Sequence, residues 1–596
     1  MNRKRLLITC VGLWLAAFGI RVLSWQDNRL DAGKVEWVIA AEYREAGTLI
    51  SQGEISSYLH NLYFMTHPPG YAIFLATIFK VIGNSETTVR MVQIACDAGA
   101  VVLVFLIATE LLSSCTAIIA GLIVAVSPQL AYYPSLLLPD SLSVLPILLG
   151  IYCLAIARRH PRISLLFLAG AFVGISCWLR ANALLMAPFL VPITPLLFKR
   201  GQRFAYSGAL LLGTVLVIAP VTIKNLIVWH RVIPLSLGAG QKLLEGVAEY
   251  DRDNTLGIPK TDVGIVLQEA ELQNRPEYAR GLFTGDGIER DRARLTRGLS
   301  VIRAHPLWYL GVMTRRAASF LKLARVPLVS AQPTFSHSLR PQQDGDTVKL
   351  LSPAVLMETA SNASSANAAA LPEDVTTLQL IGDDSKYGVC FRSKPINVSK
   401  DSDYTLTVPL KLEAGRLLVS VTSADQKSHL STTVVDPLEA VAPEAQPVQV
   451  VSLPLATGND DSIRLVLSNG GAKARAQLGT VKFVEYGPTS YLRTRYPRML
   501  IHVLQKAFVT ACMLPLALVG LALLIRARRW QSLALLLIVP AYYLTLQSAL
   551  HTERRYVIAI HYFLFMLVAI SVSFIAGPVV AWSGRRLGWK TESLSL

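Results

Sequence analysis

Short polar segments between long apolar runs carry the side chains most able to do chemistry in this sequence. The first of them holds Glu42-Tyr-Arg-Glu-Ala46 and, further along, His67-Pro-Pro-Gly-Tyr71. Tandem prolines fix φ and are excluded from a helix interior, so they begin the next helix and place His67 just before its N-terminus. The proline pair alone favours a simpler interpretation, a rigid helix entry without chemistry.

Two aspartates lie beside or within long apolar runs, where a carboxylate is unusual. Asp140, in Leu138-Pro-Asp-Ser-Leu142, precedes an apolar run. It can cap the N-terminus of that helix and still take part in chemistry. Asp97 lies within an apolar run, and an ionisable group inside a membrane span indicates a functional role by default. A hydrogen bond to a neighbouring helix is the alternative interpretation of Asp97.

The composition identifies the elements that must position these residues. Of the 596 residues, 52% are hydrophobic and only 16% are charged, and the mean hydropathy is +0.43. These values are typical of a polytopic membrane protein. The net charge of +17 comes from Lys and Arg at the ends of apolar runs. Because no basic stripe with interleaved aromatic residues is present, the charge indicates membrane topology and not nucleic-acid binding.

Ten stretches are long and apolar enough to predict membrane-spanning helices. They are residues 6–25, 89–112, 115–133, 141–157, 163–178, 181–198, 204–229, 500–525, 532–550 and 556–582. If the basic N-terminus is cytoplasmic, the strongly basic turns and the basic C-terminal tail all fall on the cytoplasmic side as well. This sorting requires that the apolar segment 68–83 does not cross the membrane, so we expect it to lie on the outer face.

Some basic residues on the outer side depart from this pattern. Arg554 and Arg555, in His551-Thr-Glu-Arg-Arg-Tyr556, lie between the last two predicted spans. Arg180 and Lys224-Asn225 lie at other outer helix ends. Arginines held outside indicate an anionic ligand such as a phosphate. Contact with a lipid headgroup explains any single one of them equally well.

The long segment between the seventh and eighth spans divides into two parts. Residues 230–305 are polar and predicted to be partly helical from Gly264 onward. Residues 327–489 carry alternating runs, which predict a β-sandwich behind a linker near 361–370. The runs are 404–412, 416–422 and 462–468. The predicted domains are therefore residues 1–326, 327–489 and 490–596.

In their order and spacing, these motifs resemble the GT-C superfamily of glycosyltransferases that use polyprenyl-phosphate sugars. The similarity is greatest to bacterial relatives of the dolichyl-phosphate-mannose protein mannosyltransferases and of the lipid A aminoarabinose transferase. It rests on Tyr43, Ala46, Gly53, the segment His67 to Tyr71, Arg90, Gln93, Asp97, Ser127-Pro, Tyr133, Asp140, Arg180, Pro220, Lys224-Asn225, Leu237, Gly240, Gly246 and Arg554-Arg-Tyr556. The expected fold class is an α-helical polytopic membrane protein of GT-C type with about ten transmembrane helices and an inserted periplasmic β-sandwich.

The resemblance implies roles for the acids. In such families one acid in the first outer loop acts on the acceptor, and a second lies near the position of Asp140. The sequence departs from the family at the first acid, because Ile39 and Ala40 stand where an aspartate is usual. Glu42 is the nearest substitute, so we expect it to be the general base that deprotonates the acceptor hydroxyl. The sequence leaves three candidates for the general base, which are Glu42, Glu36 and Asp31.

The expected activity is the inverting transfer of a sugar from a polyprenyl-phosphate donor to a glycan, lipid or protein acceptor. It would take place on the periplasmic face of a bacterial inner membrane, with both chain termini cytoplasmic. Asp140 would orient the acceptor, or bind a divalent metal ion if one is used, and outer basic residues would neutralise the phosphate. The expected binding residues are His67, Tyr71, Asp97, Arg180, Lys224, Asn225, His551, Glu553, Arg554, Arg555 and Tyr556. The β-rich insert would bind carbohydrate or acceptor.

Two other classes of protein remain as alternatives. A lipid or sugar transporter, or flippase, predicts internally repeated halves and paired helices broken by Gly and Pro at the membrane midplane, and the sequence shows neither. A non-catalytic envelope assembly protein would recruit partners through its β-rich insert. It would be favoured if Asp140 and the outer arginines were dispensable.

Overall fold

The computed structural model describes residues 2–331, 346–357, 377–382, 385, 388–426, 428–437, 446–470, 473–489 and 491–586, with the backbone alone described for 29–38 and 577–586. The chain divides into two compact units. One comprises Met1–Val329 and Ile501–Leu596, and the other is Ser330–Leu500. The first is helical and the second is rich in β-strands. The predicted domain boundaries stay predictions.

Helices make up almost all regular structure outside the β-rich unit. The α-helices are α1 Arg3–Asp27, α2 Arg29–Gln52, α3 Ile55–Leu59, α4 Gly70–Val81, α5 Glu86–Leu111, α6 Ser114–Val126, α7 Pro128–Tyr132, α8 Val144–Arg159, α9 Ile163–Leu179, α10 Met186–Leu190, α11 Thr194–Leu197, α12 Arg203–Trp229, α13 Ala239–Ala248, α14 Asp262–Gln273, α15 Gly287–Ala304, α16 Pro306–Phe320, α17 Pro353–Leu356, α18 Arg495–Gln505, α19 Thr510–Arg526, α20 Trp530–Thr545 and α21 Ala559–Arg586. Short 3₁₀ helices near the candidate site are Leu62–Thr66, Tyr133–Ser135, Ala181–Ala183 and Arg554–Val557.

Length and composition identify several of these helices as membrane spans. Five are long and apolar enough: Arg3–Asp27, Glu86–Leu111, Arg200–Trp229, Trp530–Ala549 and Ala559–Ala576. Two bent pairs raise the number to seven if each counts as one span, with bends of 61° and 70°. The pairs are Ser114–Val126 with Pro128–Ser135, and Leu492–Gln505 with Thr510–Arg526. The predicted number of about ten spans is therefore not confirmed.

Proline explains part of the difference. The predicted span 181–198 contains Pro188, Pro192 and Pro195, and the structure breaks it into four short helical pieces. They are Ala181–Ala183, Met186–Leu190, Val191–Ile193 and Thr194–Leu197. Proline lacks the amide hydrogen and clashes with the preceding turn, so a helix rarely continues through several of them. Hydrophobicity alone did not reveal these breaks.

Glycines allow α9 and α12 to lie very close together. A Cβ atom at Gly170 would lie 1.8 Å from the carbonyl oxygen of Leu210, and one at Gly213 would lie 2.1 Å from that of Phe167. Small residues at such crossings let two membrane helices approach backbone to backbone. This contact holds the middle of α9 against α12, and Arg180 follows the C-terminal end of α9.

The polar segment between α12 and α16 is compact and helical. Glu269 on α14 pairs with Arg290 at 2.7 Å and with Arg294 at 2.6 Å, both on α15. A Cβ atom at Gly240 on α13 would lie 1.9 Å from the carbonyl oxygen of Asp291, so α13 and α15 are in close contact. The helical character predicted from Gly264 onward is confirmed, and it begins earlier, at α13.

The β-rich unit consists of two sheets. Its strands are β1 Thr347–Leu351, β2 Leu378–Ile381, β3 Val389–Arg392, β4 Ile396–Asn397, β5 Ser402–Ala414, β6 Leu417–Ser423, β7 His429–Val435, β8 Gln449–Ala456, β9 Ser462–Asn469, β10 Arg475–Leu478 and β11 Val481–Pro488. One sheet has the order β1-β11-β5-β10-β2, with β8 also paired to β5. The other has the order β3-β9-β6-β7, with β4 also paired to β9.

One hydrophobic core joins the two sheets. Leu406 and Leu410 of β5 share it with Val419 of β6 and Leu465 of β9, and each of these side chains is 0% exposed. A core shared by two antiparallel sheets defines a sandwich. The three predicted strand runs correspond to β5, β6 and β9. The predicted helical chain with an inserted β-sandwich is therefore confirmed, while the number of spans is not. The predicted linker at 361–370 lies outside the described residues.

Candidate active site

The first part of the site lies between α2 and α4. Tyr43 on α2 is 2% exposed, and its ring stacks on His67 with 4.6 Å between the ring centroids. Tyr71 on α4 meets the ring of Tyr43 edge-on at 4.9 Å. Because α4 begins at Gly70, directly after the two prolines, His67 is held just ahead of the helix, as the sequence indicated.

Glu42 is the acid of this cluster, and both of its carboxylate oxygens are occupied. Tyr63 donates a hydrogen bond to Oε1 at 2.5 Å. His67 Nε2 lies 2.9 Å from Oε2. Burial raises the pKa of the Glu42 carboxyl, but the hydrogen bonds from His67 and Tyr63 outweigh burial and hold the pKa below its usual value. Glu42 is therefore an ionised carboxylate at neutral pH.

Gln93 on α5 fixes the chain that leads to Asp140. Its Nε2 atom lies 3.1, 2.5 and 3.2 Å from the carbonyl oxygens of Pro134, Leu136 and Leu138. Its Oε1 atom accepts a hydrogen bond from the hydroxyl of Tyr71 at 2.9 Å. A single buried amide thus joins the aromatic cluster to the irregular segment before Asp140.

Asp140 forms a buried ion pair with Arg180. Its Oδ1 atom lies 2.5 Å from Arg180 Nη2, and the two side chains are 3% and 14% exposed. The guanidinium of Arg180 also stacks on the ring of Tyr556, with 4.1 Å from Cζ to the ring centroid. Burial lowers the pKa of Arg180, but the Asp140 carboxylate and Tyr556 outweigh burial and raise it.

The segment before α21 contributes a second buried arginine. Arg555 is 7% exposed, and its Nε atom lies 2.9 Å from Oε2 of Glu553. Its Cζ atom lies 5.3 Å from the centroid of the Tyr556 ring, so two guanidinium groups flank one tyrosine. The Tyr556 carbonyl accepts a hydrogen bond from Asn182 Nδ2 at 2.8 Å. Arg554, by contrast, is exposed.

Electrostatic interactions show that the two parts of the site converge. Burial raises the pKa of the Tyr43 phenol, Arg180 lowers it, and Asp140, Tyr556 and Glu42 raise it further. The hydroxyl of Tyr43 is buried, with no hydrogen-bond partner in the described part of the chain. Tyr43 therefore contacts His67 directly and lies within electrostatic range of Asp140 and Arg180.

The structure also brings Arg555 to the same place. Burial lowers the pKa of Arg555, but Asp140, Tyr556 and Glu553 outweigh burial and raise it, while Arg180 opposes this increase. Asp140 therefore acts on two arginines from different helix ends. Of the predicted residues, Glu42, His67, Tyr71, Asp140, Arg180, Glu553, Arg555 and Tyr556 come together here.

Three predicted residues have other partners. Asp97 Oδ2 lies 2.6 Å from Arg21 Nε, with both side chains fully buried. Asp97 therefore makes a contact with a neighbouring helix, as the alternative interpretation of this residue predicts. Asn225 donates to the carbonyl oxygens of Ile233 and Leu235 at 2.9 and 3.1 Å, which holds the chain after α12. His551 Nδ1 lies 3.4 Å from Glu249 Oε2.

Lys224 lies near the end of α12 and is half-buried. No hydrogen bond or ion pair of its ammonium group is found among the described residues. Within that part of the chain, no side chain competes with a donor phosphate for the ammonium group of Lys224.

Two residues of the site had no assigned role in the sequence. Nothing in the spacing of Tyr63 marks it in the sequence, and it contacts Glu42 because the 3₁₀ helix Leu62–Thr66 folds back onto α2. Tyr43 stands beside Glu42 in the sequence, but its electrostatic interaction with the Asp140–Arg180 pair depends on residues far away in sequence.

A divalent metal ion does not fit the acids of this site. Asp140 already pairs with Arg180, and Glu42 is occupied by His67 and Tyr63. Among the described residues, no three His, Cys, Asp or Glu side chains come close enough to hold a metal ion.

Comparison with solved structures gives seven matching chains. One is the single-particle cryo-EM structure of the arabinosyltransferase EmbB from Mycobacterium smegmatis, at 12% identity and a TM-score of 0.21. The match covers 69% of this chain and 58% of that chain, and a TM-score this low supports no conclusion about fold or function. The sequence matches no curated protein.

Comparison with family models gives one match over the centre of the helical unit. Residues 66–227 match the model described as dolichyl-phosphate-mannose-protein mannosyltransferase. The matched region contains His67, Asp140 and Arg180, while Glu42 and Arg555 lie outside it. Residues 66–227 are thus similar to this family of mannosyltransferases, and the resemblance to the GT-C glycosyltransferases predicted from the sequence is confirmed.

Proposed function

We propose that this protein is a membrane glycosyltransferase that moves a sugar from a polyprenyl-phosphate donor to an acceptor hydroxyl. One observation carries the proposal. Arg180, which is largely buried, and buried Arg555 both lie against Tyr556 and interact electrostatically with Asp140, and Tyr43 interacts electrostatically with both Asp140 and Glu42. Asp140, Arg180, Arg555 and Tyr556 are supplied by segments at the ends of apolar helices, where a lipid-linked substrate can present its phosphate, and Glu42 is supplied by α2.

The arginines suit the donor side of the reaction. When the bond between the sugar and the phosphate breaks, the electron pair stays with the phosphate, whose negative charge increases. Preorganised guanidinium groups in a site of low water content stabilise that charge, a type of contribution that is usually large in catalysis. Arg180 is held by Asp140 and Tyr556, and Arg555 by Glu553, so little reorganisation is needed. Exposed Arg554 lies in the same segment as Arg555, and half-buried Lys224 is proposed as a further contact of the donor phosphate.

The acids suit the acceptor side. The acceptor hydroxyl must lose its proton as its oxygen attacks the anomeric carbon, and the cluster of Glu42, His67 and Tyr63 supplies groups that can take and hold that proton. Asp140 orients the acceptor while it holds Arg180. Attack opposite to the departing phosphate inverts the configuration at the anomeric carbon.

We place the reaction on the periplasmic face of a bacterial inner membrane. Support comes from the distribution of basic turns in the sequence, which puts the helix ends that carry the site on the outer side. The β-sandwich unit, on the same side of the membrane in this topology, is proposed to bind glycan or acceptor.

The decisive experiment offers radiolabelled polyprenyl-phosphate sugars to the purified chain in lipid vesicles with glycan, lipid and peptide acceptors. We expect label to move from the donor to one acceptor class and polyprenyl phosphate to be released in equal amount. Arg231→Ala is a suitable control, because the one ion pair of Arg231 within the described part of the chain is an exposed pair with Glu289 at 3.3 Å. Movement of intact donor across the vesicle, without release of polyprenyl phosphate, would instead identify a transporter.

A further inference from the structure

The contacts of Glu42 determine which nitrogen of His67 carries a proton. An ionised carboxylate can only accept hydrogen bonds. Because Oε2 of Glu42 lies 2.9 Å from His67 Nε2, that nitrogen must be the donor. In the neutral imidazole the other nitrogen, Nδ1, is then an acceptor with a free lone pair.

The surroundings of His67 leave that lone pair available. Nδ1 has no hydrogen-bond partner in the described part of the chain, and the side chain is 25% exposed. Tyr43 covers one face of the ring, with 4.6 Å between centroids and planes 29° apart. The imidazole is thus fixed at Nε2 and over one face, while Nδ1 can meet an incoming group.

From this geometry, and on the basis of the proposed function, we infer that His67 is the catalytic residue that takes the proton of the acceptor hydroxyl. Glu42 is then a positioning residue, which orients the imidazole through Nε2 and stabilises its positive charge. The acceptor O–H proton moves to Nδ1 as the acceptor oxygen forms a bond to the anomeric carbon. The bond from that carbon to the phosphate oxygen breaks, and its electron pair leaves with the polyprenyl phosphate.

The environment of Glu42 argues against its acting as the base itself. Both oxygens already accept hydrogen bonds, from Tyr63 and His67. These contacts also hold the pKa of the carboxyl below its usual value, which weakens it as a proton acceptor. The same arrangement explains how the chain can function with Ile39 and Ala40 where the related families place an aspartate. A histidine supported by a carboxylate replaces the single acid.

Chemical rescue provides the test. His67→Gly should lower kcat by about 100-fold or more, since a general base contributes about 10²–10⁴-fold to rate. The KM for the polyprenyl-phosphate donor should change by no more than about twofold, because the imidazole acts on the acceptor. Added imidazole should restore part of the lost turnover. His60→Gly is the matched control, because His60 lies exposed in the same segment and its ring forms hydrogen bonds with Ser56 alone among the described residues, and imidazole should leave its rate unchanged.

Variants of Glu42 separate the two roles. Glu42→Gln should lower kcat by about tenfold without response to imidazole, and Glu42→Asp should recover part of the rate, as expected of a positioning residue. If Glu42→Gln abolished transfer while His67→Gln kept at least half of it, the base would be the carboxylate and this inference would be wrong. Failure of imidazole to rescue a folded His67→Gly that still binds donor would also overturn it. Absence of transfer by the wild-type chain from any polyprenyl-phosphate sugar would refute the proposed function instead.

Discussion

Arg180 Nη2 lies 2.5 Å from Asp140 Oδ1, and the same guanidinium stacks on the ring of Tyr556. The three residues come from the ends of three different helical segments, so the pair holds them together. Both charges are largely removed from water, with 3% of the Asp140 side chain exposed. Removing one partner of such a pair leaves an uncompensated buried charge. The Asp140–Arg180 pair therefore contributes both to the proposed catalysis and to local stability.

Asp140→Asn is expected to abolish transfer. The amide keeps the size of the side chain but loses the charge that holds Arg180 and orients the acceptor. Turnover should fall by at least about 100-fold, while the affinity for the donor changes little, because the arginines remain. Donor binding and turnover, measured on protein shown to be folded, check this. Wild-type turnover in Asp140→Asn would end its catalytic assignment.

Arg555→Ala is expected to weaken donor binding. A charge-assisted hydrogen bond to a phosphate contributes about 1.5–3 kcal/mol, so the donor Kd should rise by roughly 10- to 150-fold. Titration of a polyprenyl-phosphate sugar into the variant, with Arg231→Ala as the charge-matched control, measures the change. Unchanged donor affinity would return Arg555 to the role of a lipid-headgroup contact.

Asp97→Asn is expected to destabilise the protein without changing the chemistry. Asp97 and Arg21 pair at 2.6 Å with both side chains fully buried, and breaking a buried pair costs about 3–5 kcal/mol. The Tm in detergent should fall, while turnover per folded molecule stays at the wild-type value. The double variant Arg21→Met, Asp97→Leu should recover much of the lost stability, since it leaves no isolated charge. A wild-type Tm combined with weaker substrate binding would instead support a binding role for Asp97.

The segment 68–83 is expected to stay on the outer side of the membrane. Asn84 follows this segment and is exposed, so a cysteine at this position can be labelled without unfolding the protein. In a cysteine-free background, Asn84→Cys should react with an impermeant maleimide from the periplasmic side of spheroplasts. Labelling only from the cytoplasmic side would require a different threading of the later helices.

The β-sandwich is expected to fold by itself. Its core is made of residues from its own two sheets, and it forms a separate compact unit. A fragment of residues 344–487 should be soluble and give a circular-dichroism spectrum dominated by β-structure. A helical or disordered spectrum would contradict this. Binding to a glycan array would test its proposed role separately.

The sequence predicted the elements of the helical unit better than their interruptions. Apolar runs identified the stretches that became α1, α5 and α12, because a membrane span requires about 20 apolar residues. They did not reveal that residues 181–198 form several short pieces. The positions of the prolines indicate these breaks, but a mean hydropathy over the whole stretch does not detect them. The helix α2 was also missed, since its mixed charged and apolar residues were interpreted as an outer loop.

The sequence identified most residues of the candidate site but not their pairing. Asp140 and Arg180 were both visible as polar residues at helix ends, yet nothing in their separation indicates an ion pair. Glu42 and His67 were selected for different roles, and their hydrogen bond depends on how α2 packs against α4. Tyr63 could not have been found, because its only distinction is a contact made by the folded chain. Long-range pairing is decided by packing, which local patterns do not encode.

Gln93 limits which mutations this protein can tolerate. Its amide nitrogen faces three carbonyl oxygens and its amide oxygen accepts from Tyr71, so the position needs a donor and an acceptor on one planar group. Glutamate has the same shape but would turn an oxygen toward three others. Asparagine has the same chemistry but is shorter by one methylene group. The sequences that keep Asp140 in place are therefore restricted at a residue that is fully buried and has no proposed part in the chemistry.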